Sequence, residues 1–264
     1  MQKKYRMEWY MNKNKRFTKI SEILKTEGNA STKYLADILQ ISEATIRRDL
    51  TELAGRDSFP ISRVHGGAIY SLEKSGLEPM FNIKLSQLVE GKKKIARLAA
   101  NLVEDGDVVI LDSGTTTYYL ASELVKKKGL KIITTDVKIA EKLARYPTVQ
   151  TILIGGEVRA GYFSIGGEIA IRYLSEFRGD KGFLSTDGWD LNGTYNASMF
   201  EVGIKRAIIQ SSGRTFLIAD HTKYGKIALI KIANIEKFNA IITDSSPPED
   251  VLESLKEKKI KIIF

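Results

Sequence analysis

The 264-residue sequence contains no cysteine and only two histidines, His65 and His221. The lack of cysteine excludes disulfide bonds and thiolate metal ligands, and it fits a reducing cytoplasm. Two histidines far apart in the sequence do not suggest a zinc site, because zinc takes several clustered nitrogen or sulfur ligands. We therefore expect neither a metal ion nor another cofactor.

Long hydrophobic runs are also absent. No stretch approaches the roughly 18 consecutive apolar residues that a membrane-spanning helix requires. Residues 1–16 are basic, but they lack the apolar segment of a signal peptide. The sequence therefore predicts a cytoplasmic protein without a membrane partner.

Positive charge is plentiful and unevenly distributed. Lysine and arginine outnumber aspartate and glutamate by 41 to 32, so the net charge is +9. Residues 1–70 carry 13 basic and 8 acidic side chains, whereas the rest of the chain carries 28 and 24. The first part is thus about three times more positive per residue, and we expect a polyanionic partner to contact it.

Residues 16–70 show three helical patterns followed by a hairpin. The first pattern, residues 17–26, places its apolar side chains on one face. Ser31 or Thr32 is expected to cap a second helix, and Ser42 a third that runs to about residue 54. A hairpin is predicted over residues 61–70. This order of elements is typical of a winged helix-turn-helix.

The third helix has the features of a DNA-reading helix. Ile46, Leu50 and Leu53 form a narrow apolar stripe, so the opposite face is free to enter a major groove. Arg47 and Arg48 can reach guanine edges or phosphates. The alternative is a solvated helix of a helical bundle in which this arginine pair occurs by chance. The predicted DNA-binding residues are Ser31, Thr32, Ser42, Ala44, Thr45, Arg47, Arg48, Thr51, Arg63, His65 and Gly66.

Two segments resemble the signature of the DeoR family of bacterial transcriptional regulators. They are Thr45-Ile-Arg-Arg-Asp-Leu50 and Arg63-Val-His-Gly-Gly-Ala68, and they occur at the family's spacing. Gly66 permits a sharp wing turn, whereas His65 is either a structural wing residue or a contact to DNA. Residues 54–60 and the basic N-terminal extension depart from the family pattern.

The resemblance continues over roughly residues 80–245. It implies an α/β multi-domain protein, in which a winged helix-turn-helix precedes a sensor domain with a fold like ribose-5-phosphate isomerase and CoA transferases. We predict a basic N-terminal extension over residues 1–15, the DNA-binding domain over 16–70, a linker over 71–80 and the sensor domain over 81–264.

After a long helical pattern over residues 82–104, short apolar runs alternate with helical patterns. This alternation predicts a mostly parallel sheet. The predicted strands are residues 108–111, 131–134, 149–154, 182–184, 215–219, 240–242 and 261–263.

A phosphate-binding loop is expected after the first of these strands. There, a Gly/Thr-rich loop opens a helix, so backbone N–H groups, hydroxyls and a helix N-terminus converge. An unliganded strand–loop–helix connection is the alternative. The residues predicted to hold the phosphate are Asp112, Ser113, Gly114, Thr115, Thr116 and Thr117.

Other strand ends carry polar or glycine residues as well. Ligands of open α/β sheets bind at the carboxyl ends of the strands, although each segment taken alone is also consistent with turn formation. We predict further effector contacts from Gly155, Gly156, Asp187, Gly188, Asp220 and Lys223.

The sequence thus predicts a repressor that binds double-stranded operator DNA as a homo-oligomer, a dimer or tetramer, and is released by a phosphorylated sugar. One alternative is a sugar-phosphate isomerase or transferase with a DNA-binding appendage, and another is a DNA-binding activator. Related isomerases carry an Asp-Gly-Ala-Asp-Glu run and a lysine-containing glycine loop. This chain has Asp187-Gly-Trp-Asp190 followed by Leu191-Asn-Gly-Thr194, so we expect no catalysis.

Overall fold

The computed structural model separates into two compact units that divide between Lys84 and Leu85. Each unit has its own hydrophobic core. Within the described ranges, no helix combines the length and apolar character needed to cross a bilayer. The structure describes residues 12–56, 61–64, 66–70 and 81–264.

The first unit is a winged helix-turn-helix, as predicted. In its three-stranded antiparallel sheet, the hairpin strands β2 and β3 are joined by β1, a strand that the sequence did not predict. Helix α1 begins earlier than the predicted residue 17, because Asn12 accepts a hydrogen bond from the amide of Lys15 and caps it. The elements are α1 (Lys13–Glu27), β1 (Asn29–Ser31), α2 (Thr32–Leu39), α3 (Glu43–Ala54), β2 (Ile61–Val64) and β3 (Gly67–Tyr70).

The second unit is built around a seven-stranded parallel sheet. The division between the units falls within α4 (Phe81–Ser86). The helices of the second unit are α5 (Val89–Ala100), α6 (Thr115–Leu124), α7 (Val137–Leu143), α8 (Glu168–Ser175), α9 (Met199–Ser211) and α10 (Glu249–Glu257). Its strands are β4 (Val108–Leu111), β5 (Lys131–Thr134), β6 (Gln150–Leu153), β7 (Glu157–Val158), β8 (Ile165–Gly166), β9 (Gly179–Leu184), β10 (Gly188–Asp190), β11 (Gly193–Asn196), β12 (Ser212–Ile218), β13 (Ile230–Ala233), β14 (Ala240–Ile242) and β15 (Lys261–Ile263).

All seven predicted apolar runs are strands of this sheet, whose order is β15-β14-β12-β9-β4-β5-β6. Alternate residues of a strand point to opposite faces, and both faces are packed. Val109 and Leu111 of β4 enter one hydrophobic core, whereas Ile110 enters the other. The predicted α/β class, with a winged helix-turn-helix before a parallel sheet, is confirmed.

The prediction of one long helix over residues 82–104 is wrong. The chain forms α4 and then α5, with Leu88 between them in the left-handed region at φ 48°. This conformation interrupts a right-handed helix. The sequence also missed the small antiparallel sheets β7-β8 and β10-β11-β13, whose strands are only two to four residues long.

Candidate functional site

The two faces of α3 differ sharply in exposure. Ile46, Leu50 and Leu53 are fully buried in the core of the first unit. The opposite face is therefore open to a major groove, as the geometry of a recognition helix requires. Thr45 is half-buried, whereas the other α3 residues predicted to face DNA are exposed: Ala44, Arg47, Arg48 and Thr51.

Arg47 and Arg48 are not equivalent. One guanidinium nitrogen of Arg47 donates to Glu43 over 2.9 Å, in a solvent-exposed pair one helical turn apart. Among the described residues, Arg48 has no hydrogen-bond or ion-pair partner. Because no internal partner must be displaced, Arg48 is the better placed of the two to bind a guanine edge.

The predicted hydroxyl contacts at the helix starts also serve as caps. Ser42 accepts a hydrogen bond from the Thr45 amide at 3.3 Å, and the two hydroxyls lie 2.9 Å apart. Ser31 accepts from the amide of Tyr34 at 3.0 Å, so Ser31 is the cap of α2 and Thr32 is its first residue. The buried Thr32 donates its amide to the carbonyl of Gly66.

Arg63 connects the wing to the recognition helix. It donates to the backbone carbonyl of Arg47 at 2.9 Å and approaches the hydroxyl of Thr51 at 3.5 Å. Gly66 adopts φ +80°, which favours glycine, and a Cβ atom there would meet no described atom within 4 Å. His65 lies outside the described residues, as does the predicted linker over residues 71–80.

Sequence reasoning missed the ion pair that holds α3 in place. The guanidinium of Arg16 on α1 donates two hydrogen bonds to the buried carboxylate of Asp49, at 2.7 and 3.0 Å. A signal was present, because Asp49 lies on the apolar side of α3, where a carboxylate needs a partner. This bidentate pair orients α3 against α1.

In the second unit, the predicted phosphate loop lies between β4 and α6. The N-cap residue of α6 is Gly114, which has no side chain, and among the described residues no side chain caps the first-turn amides of the buried Thr115, Thr116 and Thr117. A Cβ atom on Gly114 would lie 2.3 Å from the hydroxyl oxygen of Ser185, so only glycine permits this approach. These features give a compact helix N-terminus suited to an anion.

The buried side chain of Asp112 stabilises this loop through hydrogen bonds. Its carboxylate is buried and accepts hydrogen bonds from the amide of Ser185 at 3.0 Å and from the amine of Lys205 at 2.5 Å. Lys205 also donates to the carbonyl of Ser185 at 3.1 Å. Burial alone would lower the pKa of Lys205, but Asp112 and Glu201 raise it above its ordinary value, so the amine stays charged.

Glu201 and Lys205 on α9 are the main residues that the sequence analysis did not assign. Glu201 accepts hydrogen bonds from Ser164 at 2.8 Å, Asn196 at 3.1 Å and Arg159 at 3.2 Å. The available signal was the spacing of four residues, which places two charged side chains on the otherwise mostly apolar face of α9. Together they connect α9 to the ends of the strands.

Asp136 ties the end of β5 to the same loop. One carboxylate oxygen accepts the amides of Lys138 and Ile139, and the other accepts the hydroxyl of Ser113 at 2.8 Å. Burial raises the pKa of Asp136 to about 6. The neighbouring Thr135 hydroxyl is buried without a hydrogen-bond partner among the described residues.

The remaining predicted effector residues also lie after strands, and several support the backbone. Asp187 accepts the amide of Ala197 at 2.9 Å, and Asp220 accepts the amide of Thr222 at 3.1 Å. Lys223 lies in the 3-10 turn that Asp220 caps. A Cβ on Gly188 would lie 2.1 Å from the carbonyl oxygen of Lys226.

The two glycines after β6, Gly155 and Gly156, differ in the space around them. A Cβ on Gly156 would lie 2.6 Å from the carbonyl oxygen of Gly166, whereas one on Gly155 would meet no atom within 4 Å. Gly156 is therefore required by packing, and Gly155 leaves space beside the backbone.

Within the described parts of the chain, no group of three or more His, Asp or Glu residues is placed to hold a metal ion.

The second aspartate of the Asp187-Gly-Trp-Asp190 run, which was compared with the isomerase motif, has a structural role. Asp190 accepts the amides of Asn192 and Gly193 at 2.8 and 2.9 Å, and the hydroxyl of Tyr195 at 3.0 Å. It therefore stabilises the turn between β10 and β11.

Known proteins match this chain along nearly its whole length. A glycerol-3-phosphate regulon repressor of Escherichia coli (strain K12) is 34% identical over 253 residues, which cover 96% of this chain and 99% of that protein. A putative sgc region transcriptional regulator of the same strain is 36% identical over 225 residues, covering 84% and 85%. Among solved structures, ribose 5-phosphate isomerase from Plasmodium falciparum has 19% identity over 50% of this chain and 52% of that chain, with a TM-score of 0.38.

Two family models match as well. The DeoR-like helix-turn-helix domain matches residues 16–74, and the DeoR C terminal sensor domain matches residues 87–245. This protein therefore belongs to the DeoR family of helix-turn-helix transcriptional regulators.

Proposed function

We propose that this regulator represses sugar-utilisation genes in the cytoplasm and leaves its operator when a phosphorylated sugar binds the second unit. The observation that carries the proposal is the exposed face of α3, on which Arg48 has no partner among the described residues. An arginine free to contact two acceptors of a guanine gives sequence preference, which phosphate contacts alone do not.

The effector argument rests on the loop between β4 and α6. Its uncapped helix N-terminus offers backbone donors to a phosphate, and the polar ends of neighbouring strands offer partners to hydroxyl groups. One relative is named for the glycerol-3-phosphate regulon. Phosphorylated polyols and sugars are therefore the first compounds to examine.

For the effector to release DNA, it must bind one state of the protein more tightly than the other. A coupling of about 1–3 kcal/mol corresponds to a change in DNA affinity of roughly 5- to 150-fold. We propose that this binding proceeds without turnover, because Asp187 and Asp190 each hold backbone amides. A coupled isomerase assay on pentose and hexose phosphates checks this point, and turnover would contradict it.

We further propose that the protein acts as a homo-oligomer, either a dimer or a tetramer. Two-fold operators match two-fold proteins, since each recognition helix then reads one half-site. Light scattering of the purified protein at operator-binding concentrations measures the mass, and a monomer bound to its operator would contradict this proposal.

The DNA assignment is tested by fluorescence anisotropy on labelled DNA from upstream of the gene. Arg48→Ala should weaken specific binding by about ten- to a hundredfold, because one bidentate base contact is lost. Lys19→Ala removes one exposed positive charge from α1 and is the matched control. Equal weakening by both variants would show that charge alone, and not base reading, accounts for Arg48.

The effector assignment uses the same DNA complex. Phosphorylated sugars and glycerol 3-phosphate are added beside their unphosphorylated parents, and only a phosphorylated compound should release the DNA. Gly114→Ala should abolish that release, because the added Cβ collides with Ser185. Gly55→Ala, where a Cβ meets only ordinary contacts, should leave it unchanged. Release that survives Gly114→Ala would move the phosphate site elsewhere.

A further inference from the structure

A pocket lies between α6 and α7, and its lining does not include the loop that we assign to the effector. Its volume is about 260 Å³. None of residues 112–117 lines it. The lining side chains are Tyr118, Lys138, Glu141, Lys142, Arg145 and Tyr146.

The charges around this pocket are unbalanced. Glu141 is the one carboxylate of the lining, and it is shared by Lys138 at 2.9 Å and by Arg145 at 3.4 Å. Three cationic side chains therefore face one anionic side chain. The resulting excess of positive charge attracts an anion.

Lys142 is the most unusual of these cations. It is half-buried, its amine lies 3.6 Å from the centre of the Tyr118 ring, and it donates to the hydroxyl of Ser122 at 2.5 Å. Within the described part of the chain, no carboxylate lies at ion-pair distance from it. Burial lowers the pKa of Lys142, as expected for a desolvated amine without a counter-ion.

We propose that this pocket binds a second small phosphorylated molecule through Lys138, Lys142 and Arg145. A guanidinium and two amines suit a phosphate, since arginine offers paired donors and lysine a compact charge. The volume lies just below the roughly 300–1,000 Å³ of pockets for drug-sized ligands, so a single small phosphate ester fits better than a larger compound.

The bound anion would supply the counter-charge that Lys142 lacks. An opposite charge within hydrogen-bond reach raises a lysine pKa by about one unit or more, and this lowers the fraction of reactive neutral amine about tenfold. Acylation of Lys142 therefore reports occupancy of this pocket directly. The rate is followed in the full chain by mass spectrometry, with inorganic phosphate as the probe and chloride at equal ionic strength as the baseline.

Saturating phosphate should slow the acylation of Lys142 about tenfold, while Lys126, an exposed lysine just after α6, should keep its rate. Arg145→Gln should weaken this protection, whereas Arg172→Gln, the matched change of an exposed arginine on α8, should not. Gly114→Ala should leave the protection intact, which separates this pocket from the effector loop.

Equal changes in the acylation rates of Lys142 and Lys126 would overturn the proposal, because they would reflect a general effect of ions on lysine and not phosphate binding in the pocket. Protection by a non-specific DNA duplex without protection by phosphate would overturn it in favour of a contact to the DNA backbone. Once phosphate protects, a panel of phosphate esters in the same assay identifies the compound that protects at the lowest concentration.

Discussion

The two units use basic side chains in opposite ways. Arg48 of the first unit is exposed and has no partner among the described residues, whereas Lys205 of the second is buried against Asp112. An exposed arginine can replace its contacts to water with contacts to DNA, and the interior of the protein then changes little. A buried lysine instead fixes the strand ends around it, so its removal should affect folding before it affects binding.

Their helix N-termini show the same contrast. Ser42 caps α3 with its own side chain, but no side chain in the described part of the protein caps α6. In a capped helix, a side-chain oxygen already accepts a hydrogen bond from a first-turn amide. In an uncapped helix, the first-turn amides are left to donate to an external anion. In our proposal, the first unit reads DNA with side chains on a helix face, whereas the second binds its ligand with backbone amides.

The largest effect should come from breaking the buried pair in the second unit. Lys205→Met leaves the buried carboxylate of Asp112 without a cationic partner and should lower the free energy of unfolding by about 3–5 kcal/mol. Urea unfolding followed by the fluorescence of the buried Trp189, in a Trp9→Phe background, measures this change. Arg48→Ala should leave the same transition unchanged. A loss below about 1 kcal/mol would contradict the pairing.

The next effect is a pH dependence from Asp136. Its pKa is about 6 in the folded protein against an ordinary 3.8, so the folded state binds the proton more tightly. The stability that this proton contributes is fully present below pH 3.8 and is lost as the pH rises through 6. The loss amounts to about 3 kcal/mol or less.

Asp136→Asn keeps a neutral side chain at every pH and isolates this contribution. Between pH 4.5 and 7.5, the wild type should lose stability relative to the variant, as measured by urea unfolding at each pH. Other titrating groups cancel in the difference between the two proteins. A constant difference across this range would show that Asp136 is ionised throughout.

The smallest effect concerns the wing of the first unit. Arg63→Ala removes the hydrogen bond to the carbonyl of Arg47 and should cost less than about 1 kcal/mol, because the bond is exposed. Hydrogen exchange should become faster in β2 and in the middle of α3, and remain unchanged in the second unit. Lys19→Ala is the control, and identical exchange in both variants would exclude a positioning role for Arg63.

Much of the fold could be predicted because its signals are local. The seven parallel strands are short apolar runs, most of which are buried in the sheet, and α3 shows its stripe of Ile46, Leu50 and Leu53 at helical spacing. The failures also have a local cause. The left-handed Leu88 that separates α4 from α5 leaves no mark on the apolar pattern, and the antiparallel sheets are too short to show alternation.

The candidate sites were predicted less completely. The strand-end position of the phosphate loop follows from the alternation of strands and helices. The partners of its buried groups do not, since Lys205 is 93 residues from Asp112 and Arg16 is 33 residues from Asp49. Sequence spacing within one element contains no information about contacts across such distances.

By itself, the sequence determined the seven parallel strands, the three helices of the first unit, the exposed face of α3 and the glycine-threonine loop after β4. These features depend on periodicity, capping and backbone freedom, which act within a few residues. Only the tertiary structure decided which charges meet inside the protein, such as Lys205 with Asp112, and which remain unbalanced, such as those around Lys142. The physical reason is that burying a charge is costly unless a partner lies beside it, and only the folded chain determines which partner is near.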